Sequence, residues 1–333
     1  MRLIFHRGRI SIGWGLDEKG EVILASERNR LGGGAFLNIQ GTSSTIPEEW
    51  LEDINRRLSQ EAMPYHQRPV HAILEWTEVN KCSVVFGSEL SEKVHAWFYR
   101  NSPPEAHHIG PLYAGAFYYD AYFWRVHIPL TYGTVNLSPW VCLKGVPETV
   151  RVRLQSDTDA ALQFMGLWAD CVDYAFGRDD ISKVLPDSFG KRLFTSADHQ
   201  LEATVALLHE RTPNAKATES ARMATEIFLK AFISLHRALT EQQAKKIGHN
   251  LGVALNECLT IQPSSELAAL RVRIDQMPPV SSRYEAKQCH REELWFAYGT
   301  AQFAGSAVAR SLTDRNMRAE VERKLGNAAV RDP

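Results

Sequence analysis

Ala221-Arg222-Met223-Ala224-Thr225-Glu226-Ile227-Phe228-Leu229-Lys230-Ala231-Phe232 decides how the second half of the chain folds. Ala221, Ala224, Ile227, Phe228 and Ala231 recur at three- and four-residue spacing and Leu235 continues the series, which makes the apolar stripe of an amphipathic helix. Thr218 stands where an N-cap is needed, and Glu226 and Lys230 form the favourable i,i+4 acid-to-base pair. Upstream, Leu201, Val205 and Leu208 give Ser196–Arg211 a helical face of its own. Downstream, Thr240-Glu241-Gln242-Gln243 and Ser282-Arg283-Tyr284-Glu285 read as capping boxes that open further helices. The last box leads into Trp295–Arg310, where Ala301, Ala304, Gly305, Ala307 and Ala309 are small enough for close helix contact. Short connections between such segments predict an all-α antiparallel helical bundle over residues 191–333.

Residues 1–190 read differently. Arg9–Trp14, Val22–Ala25, Val70–Trp76, Ser83–Phe86, Ala121–Ile128 and Val150–Leu154 are short, rich in β-branched and aromatic residues and bounded by turn formers, which predicts strands. Two helices interrupt them, at Pro47–Gln60 with its early proline and acids, and at Asp157–Phe176 with apolar residues at helical spacing. The polar, Pro- and Gly-punctuated run Phe176–Gly190 predicts a linker. The fold class expected is therefore α+β, a β-rich N-terminal domain at 1–190 followed by the bundle.

Composition agrees with that division. The chain has 333 residues, 38 Lys+Arg against 39 Asp+Glu, and a hydrophobic share of 44%, which excludes a disordered, collagenous or coiled-coil chain. The near-zero total conceals an asymmetry: residues 1–190 hold 18 Lys+Arg and 23 Asp+Glu, a balance of −5, whereas residues 191–333 hold 20 and 16, a balance of +4. Seven of the eight Trp and eight of the ten Tyr precede Gly190, so aromatic content divides the same way. There is no apolar run of about 18 residues or more, and the N-terminus meets a charge too early for a signal peptide, so no membrane contact and a cytoplasmic location are expected. Five dispersed cysteines without a C-x-x-C pair predict structural thiols, with no cofactor and no metal.

Three segments together resemble the HEPN superfamily of helical bundles: Ala221–Phe232 with its Glu-x-x-x-Lys, Lys245-Lys246-Ile247-Gly248-His249-Asn250-Leu251, and Ser282-Arg283-Tyr284. The resemblance covers roughly residues 196–325 and does not extend to residues 1–190. It implies one of two functions. Many members resemble metal-independent ribonucleases of prokaryotic defence or toxin-type systems and carry an Arg-x4–6-His signature; others serve as non-catalytic dimerisation or nucleotide-binding modules. The partners implied are RNA or a nucleotide, a second copy of the bundle in a homodimer, and a protein bound by the N-terminal domain.

Arg283 and His290 meet the loosest form of that signature. If Ser282 caps one continuous helix, seven residues return to within about 20° of the starting direction and rise about 10.5 Å, so both side chains share a face with Lys287 between them. Such a cationic stripe at a helix start suits a phosphate. Arg283 would clamp the phosphate and His290 would move the proton of a 2′-hydroxyl nucleophile, with Lys287 as a substrate-binding residue. His249 is a competing candidate, with Lys245 one turn before it and Gly248 leaving room for a phosphate; capping or packing in the bundle is its ordinary role.

Other constellations carry less. Gly32-Gly33-Gly34 lacks the Lys and Ser/Thr of a P-loop, and neither His107-His108 nor His66/His71 has an acid or Cys at ligand spacing. Asp170, Asp173, Asp179 and Asp180 read as a solvated helix end beside the linker. The aromatic run Tyr113–Arg125 would form a two-sided sheet core, with Arg125 and His127 nearby for phosphate.

Overall fold

A computed structural model describes residues 2–6, 9–13, 46–80, 88–103, 110–131, 137–279 and 289–325. The chain divides into two compact units, one of Val22–Gly110 and one that joins Met1–Glu21 to Pro111–Pro333.

The smaller unit is helical in its described residues: α1 Glu48–Gln60, α2 Arg68–Asn80 and α3 Glu89–Arg100. Glu48 and Glu49 stand in the first turn of α1, as the sequence predicts, but Pro47, expected as its first helical residue, is the N-cap; Leu51, Ile54 and Leu58 bury one stripe. Helix α2 contains Val70–Trp76, which the sequence pattern assigned to a strand. Its adjacent residues Ala72 and Ile73 are both buried while Leu74 is exposed, a sequence of burial that follows 100° steps and not the 180° of a strand. Ile46, Val94, Trp97 and Phe98 complete the small core, and Trp76 meets Trp50 edge-on at 5.0 Å between ring centroids.

In the larger unit β1 Arg2–His6 pairs antiparallel with β2 Arg9–Gly13. A second sheet has three antiparallel strands in the order β3 Tyr113–Tyr119, β4 Tyr122–Ile128 and β5 Leu143–Lys144. Asp120 and Ala121, at φ 54° and 57°, make the two-residue turn between β3 and β4, the geometry that matches strand twist. The remaining elements are helices: α4 Pro139–Cys142, α5 Glu148–Ser156, α6 Thr158–Val184, α7 Phe189–Leu208, α8 Lys216–Arg237, α9 Glu241–Ile247, α10 Leu251–Ile261, α11 Ser265–Gln276, α12 Arg291–Leu312 and α13 Met317–Lys324.

Two expectations are corrected. The β-rich N-terminal domain is not formed: among the described residues of 1–190 helices predominate, and Val150–Leu154 lies in α5. The boundary near Gly190 is also not where the units divide, because α6 runs through the supposed linker to Val184 and only residues 185–188 separate it from α7. Gly177 owes its place to packing: a Cβ there would come within 2.9 Å of the Ala309 side chain on α12. The strands expected at Val22–Ala25 and Ser83–Phe86 and the loop expected at Gly32–Gly34 lie outside the described residues.

One face of the three-stranded sheet supplies aromatics to the core. Phe117 contacts Phe164 of α6 and Trp295 of α12, with centroids 5.1 and 5.5 Å apart, and Tyr113 meets Tyr174 at 5.1 Å. Helix α12 lies against α8 where Gly305 faces Phe228; a Cβ on Gly305 would sit 2.8 Å from that ring and 3.0 Å from Tyr174. Within this core, Arg310 of α12 donates through Nη1 to Asp170 and Asp173 of α6, each at 2.9 Å, and through Nη2 to Glu266 of α11. Asp173 accepts the backbone N–H groups of Met317 and Arg318 at 2.5 and 3.1 Å, and Arg318 Nη1 donates to Asp170 at 2.8 Å. Asp170 and Asp173 are thus interior anchors and not a solvated helix end. Burial works against the Arg310 charge, and the surrounding carboxylates more than offset it, leaving its pKa raised.

No helix among the described residues is long and apolar enough to cross a membrane. Cys142, Cys171 and Cys258 are buried thiols, and burial pushes that of Cys258 up to about 12.

Arg310→Ala takes from two buried carboxylates the cation they share, leaving Asp170 with Arg318 and Asp173 with two backbone N–H groups. It is expected to lower the unfolding free energy by about 3–5 kcal/mol, read from the midpoint and slope of urea denaturation.

Candidate functional site

Helix α8 sets Arg222, Glu226 and Lys230 four residues apart, one turn above another on one side of the helix. Glu226 and Lys230 are 7% and 8% exposed, and Lys230 Nζ donates to Glu226 Oε1 at 2.8 Å. The pair read from the sequence is therefore present, but inside the protein. A buried carboxylate with a single partner keeps unused lone pairs, and here a second group takes them.

That group is His249, brought back onto α8 by the turn between α9 and α10. Gly248 ends α9 at φ 66° and ψ −148°, a conformation open essentially to glycine alone. Asn250 then caps α10, its side chain accepting from Val253 N at 3.1 Å. Between them His249 places Nδ1 3.1 Å from both carboxylate oxygens of Glu226, while 72% of its side chain stays exposed. An ionised carboxylate only accepts, so Nδ1 carries the hydrogen and, in the neutral ring, Nε2 is left as the acceptor. A buried acid fixing the tautomer of an exposed imidazole is the arrangement that prepares a histidine for proton transfer.

Arg222 completes the cluster. Its Nη2 donates to the His249 carbonyl at 3.0 Å, which ties the turn to α8. Its Nε and Nη1 are shielded and make no hydrogen bond among the described residues. Burial lowers the guanidinium pKa and the Glu226 carboxylate opposes that shift.

The other residues predicted from sequence fall elsewhere. Lys245 is an exposed residue of α9 whose Nζ lies 2.8 Å from Glu241, so it neutralises its own helix and makes no contact with His249. His290 is the N-cap of α12, extended at φ −94° and ψ 143°, and its side chain makes no capping bond. A helix cannot pass through that conformation, so His290 does not belong to a continuous helix running in from Arg283. Arg283, Lys287 and the Ser282–Glu285 capping box lie outside the described residues, as do His107 and His108. The capping box at Thr240–Gln243 is present with both of its bonds.

No family model, curated protein or solved structure matches this chain. The reading of the site accordingly stands on its own geometry. No group of three or more His, Cys, Asp or Glu poised for a metal ion occurs among the described residues. The sequence pattern marks Glu226 with Lys230 as a helix pair and His249 apart from them, and does not single out Arg222. The signal that joins them is the four-residue spacing of three charges on α8, opposite a Gly-His-Asn turn.

Removing Glu226 alone leaves Lys230 buried without its counter-charge. Glu226→Gln is expected to destabilise by about 3–5 kcal/mol, and the Glu226→Gln/Lys230→Met double variant to recover most of that loss, measured as a double-mutant cycle in denaturant.

Proposed function

We propose that the helical unit is a HEPN-like module that cleaves RNA without a metal ion, with His249 as the proton-transfer group. The observation that carries this reading is the His249 imidazole held through Nδ1 by buried Glu226, with the guanidinium of Arg222 bonded to the same residue's carbonyl. In such a reaction Nε2 withdraws the proton of a ribose 2′-hydroxyl, the 2′-oxygen bonds to phosphorus, and the bond from phosphorus to the 5′-oxygen breaks. The leaving oxygen gains a proton, and the products end in a 2′,3′-cyclic phosphate and a 5′-hydroxyl. Lys230 balances the Glu226 charge, so the carboxylate orients the ring without making the whole cluster anionic toward phosphate. Arg222, and in a paired bundle Arg283 with Lys287 and His290, supply the cationic surroundings that the resemblance implies for a cleft in a homodimer.

The second reading is a non-catalytic module that dimerises or binds a nucleotide, with the α1–α3 unit recognising a protein partner. One observation favours it: the extended backbone at His290 separates that residue from any helix containing Arg283.

Labelled RNA incubated in EDTA tests the two readings. Wild type is expected to release cyclic-phosphate ends, and His249→Ala to lose about 100-fold or more in rate. Retention of full activity in His249→Ala with loss in Arg283→Ala and His290→Ala moves the chemistry to the latter pair. Binding of RNA or nucleotide without cleavage by wild type, together with a dimer by light scattering, establishes the non-catalytic module.

A further inference from the structure

The face of the three-stranded sheet turned away from Phe117 and Val126 carries charge. Arg125 and His127 alternate along β4 and so project on the same side, and Arg125 lies opposite Lys144 of β5. Their partners on β3 are Ala116, which is buried, and Ala114, a small residue that borders the open space beside His127. The C-terminal end of α7 brings His209, the residue that caps it, to this face. Arg125, His127 and His209, with Arg178 of α6, line an open cavity of about 560 Å³, a size usual for small-molecule sites, and Lys144 stands beside it.

The polar groups of this cavity are unequally committed. Glu202 and Glu210 line it too, but Glu202 Oε1 accepts from Arg178 Nη1 at 3.0 Å and Glu210 Oε2 from Asn214 Nδ2 at 2.8 Å. Arg178 is also bound by Asp198 and by the Leu112 carbonyl, so its charge is satisfied. Among the described residues Arg125, His127, Lys144 and His209 have no carboxylate partner, and His209 Nε2 is shielded without a hydrogen bond. Burial lowers the pKa of His127, and Lys144 and Arg125 lower it further; for His209, burial and then Arg125 do the same against the carbonyls of Gly115 and Phe123. Leu112 and Val205 give the opposite wall an apolar surface.

We propose that this cavity binds a small organic phosphate, its phosphate group lying against Arg125, His127 and His209 and its body against Leu112 and Val205. An anion here supplies the counter-charge that the cluster lacks, and the bidentate fork of Arg125 suits a phosphate oxygen pair. The site is separate from the Glu226–His249 cluster and does not rest on the ribonuclease reading.

Binding also couples to protonation. The groups that face the two histidines are Tyr113 on β3, Arg125 on β4, Lys144 on β5, Arg178 on α6, Glu202 on α7 and Glu210 just beyond its C-cap. An anion raises the lowered histidine pKa values, so each complex takes up protons and affinity rises as pH falls through the bound-state pKa.

Isothermal titration of the full chain with adenosine monophosphate, adenosine, inorganic phosphate and sulfate tests the proposal. Saturable binding of the monophosphate is expected at least tenfold tighter than that of adenosine or inorganic phosphate. Arg125→Ala and His127→Gln should each weaken it about tenfold, with circular dichroism and thermal midpoints confirming that both variants fold. Sulfate, whose charge is constant between pH 8 and pH 6, should bind more tightly at the lower pH. Equal affinity for the monophosphate and inorganic phosphate overturns the organic ligand. Affinities unchanged in both variants, or no saturation by any anion at millimolar concentration, overturn the site.

Discussion

Four helices meet on one guanidinium. Arg310 of α12 reaches Asp170 and Asp173 on α6 and Glu266 on α11, and Asp173 in turn receives the first backbone N–H groups of α13. A cluster of this kind is a weak source of net stability, because removing the charges from water offsets most of their attraction. What it imposes is geometry. An apolar contact tolerates a sliding helix, whereas a buried carboxylate displaced from its donor has nothing else to bond and pays its full desolvation penalty. The relative heights of α6 and α12 are further limited by Gly177 against Ala309 and by Gly305 against Tyr174, where a single added carbon would crowd its neighbour.

That constraint reaches the candidate site through α8. Phe228 fills the space left by Gly305, and Glu226 and Lys230 belong to the same two turns. Helix α8 therefore has its rotation fixed by aromatic packing on α12, with its polar pair held at the level where the Gly248 turn returns. Cys258 Sγ to the Leu229 carbonyl at 3.5 Å adds a contact between α8 and α10 just below. The His249 side chain is exposed, but the group that orients it is not. Preorganisation of this sort comes from the interior and needs no rigid loop.

Much of the local structure was legible in the sequence. The acids after Pro47, the capping box at Thr240 and the apolar stripe from Ala221 to Leu235 each state a physical requirement of a helix end or face, and each is met, whereas Thr218 lies inside α8, which Ala215 caps. Val70–Trp76 and Val150–Leu154 were not legible. Both are short and β-branched, and only tertiary burial decides between the two periods for a segment of that length. The linker reading failed for a related reason: Gly177 signals close helix approach as readily as a turn, and Asp173 and Asp170, polar in the sequence, are satisfied by arginines well over a hundred residues away. The α12 start was misplaced because Ser282–Glu285 has a helix-opening pattern, while Glu292 and Glu293 after His290 make an equally good first turn.

Charge counted by segment conceals charge arranged by face. Residues 1–190 sum to −5, which argues against an anion partner there, yet Arg125, His127 and Lys144 stand on two adjacent strands without a paired carboxylate among the described residues. Strand alternation produces this separation. Aromatic residues of Tyr113–Arg125 that face α6 and α12 are consumed by the core, while alternation turns Arg125 and His127 to the other side, where Ala114 borders the same cavity. The acids that make the segment negative are used elsewhere: Asp170 and Asp173 on Arg310, Asp180 on Arg315, Asp120 on Arg153. A net balance records how many charges a segment holds. Which of them remain available to a ligand is set by pairing, and pairing is a property of the fold.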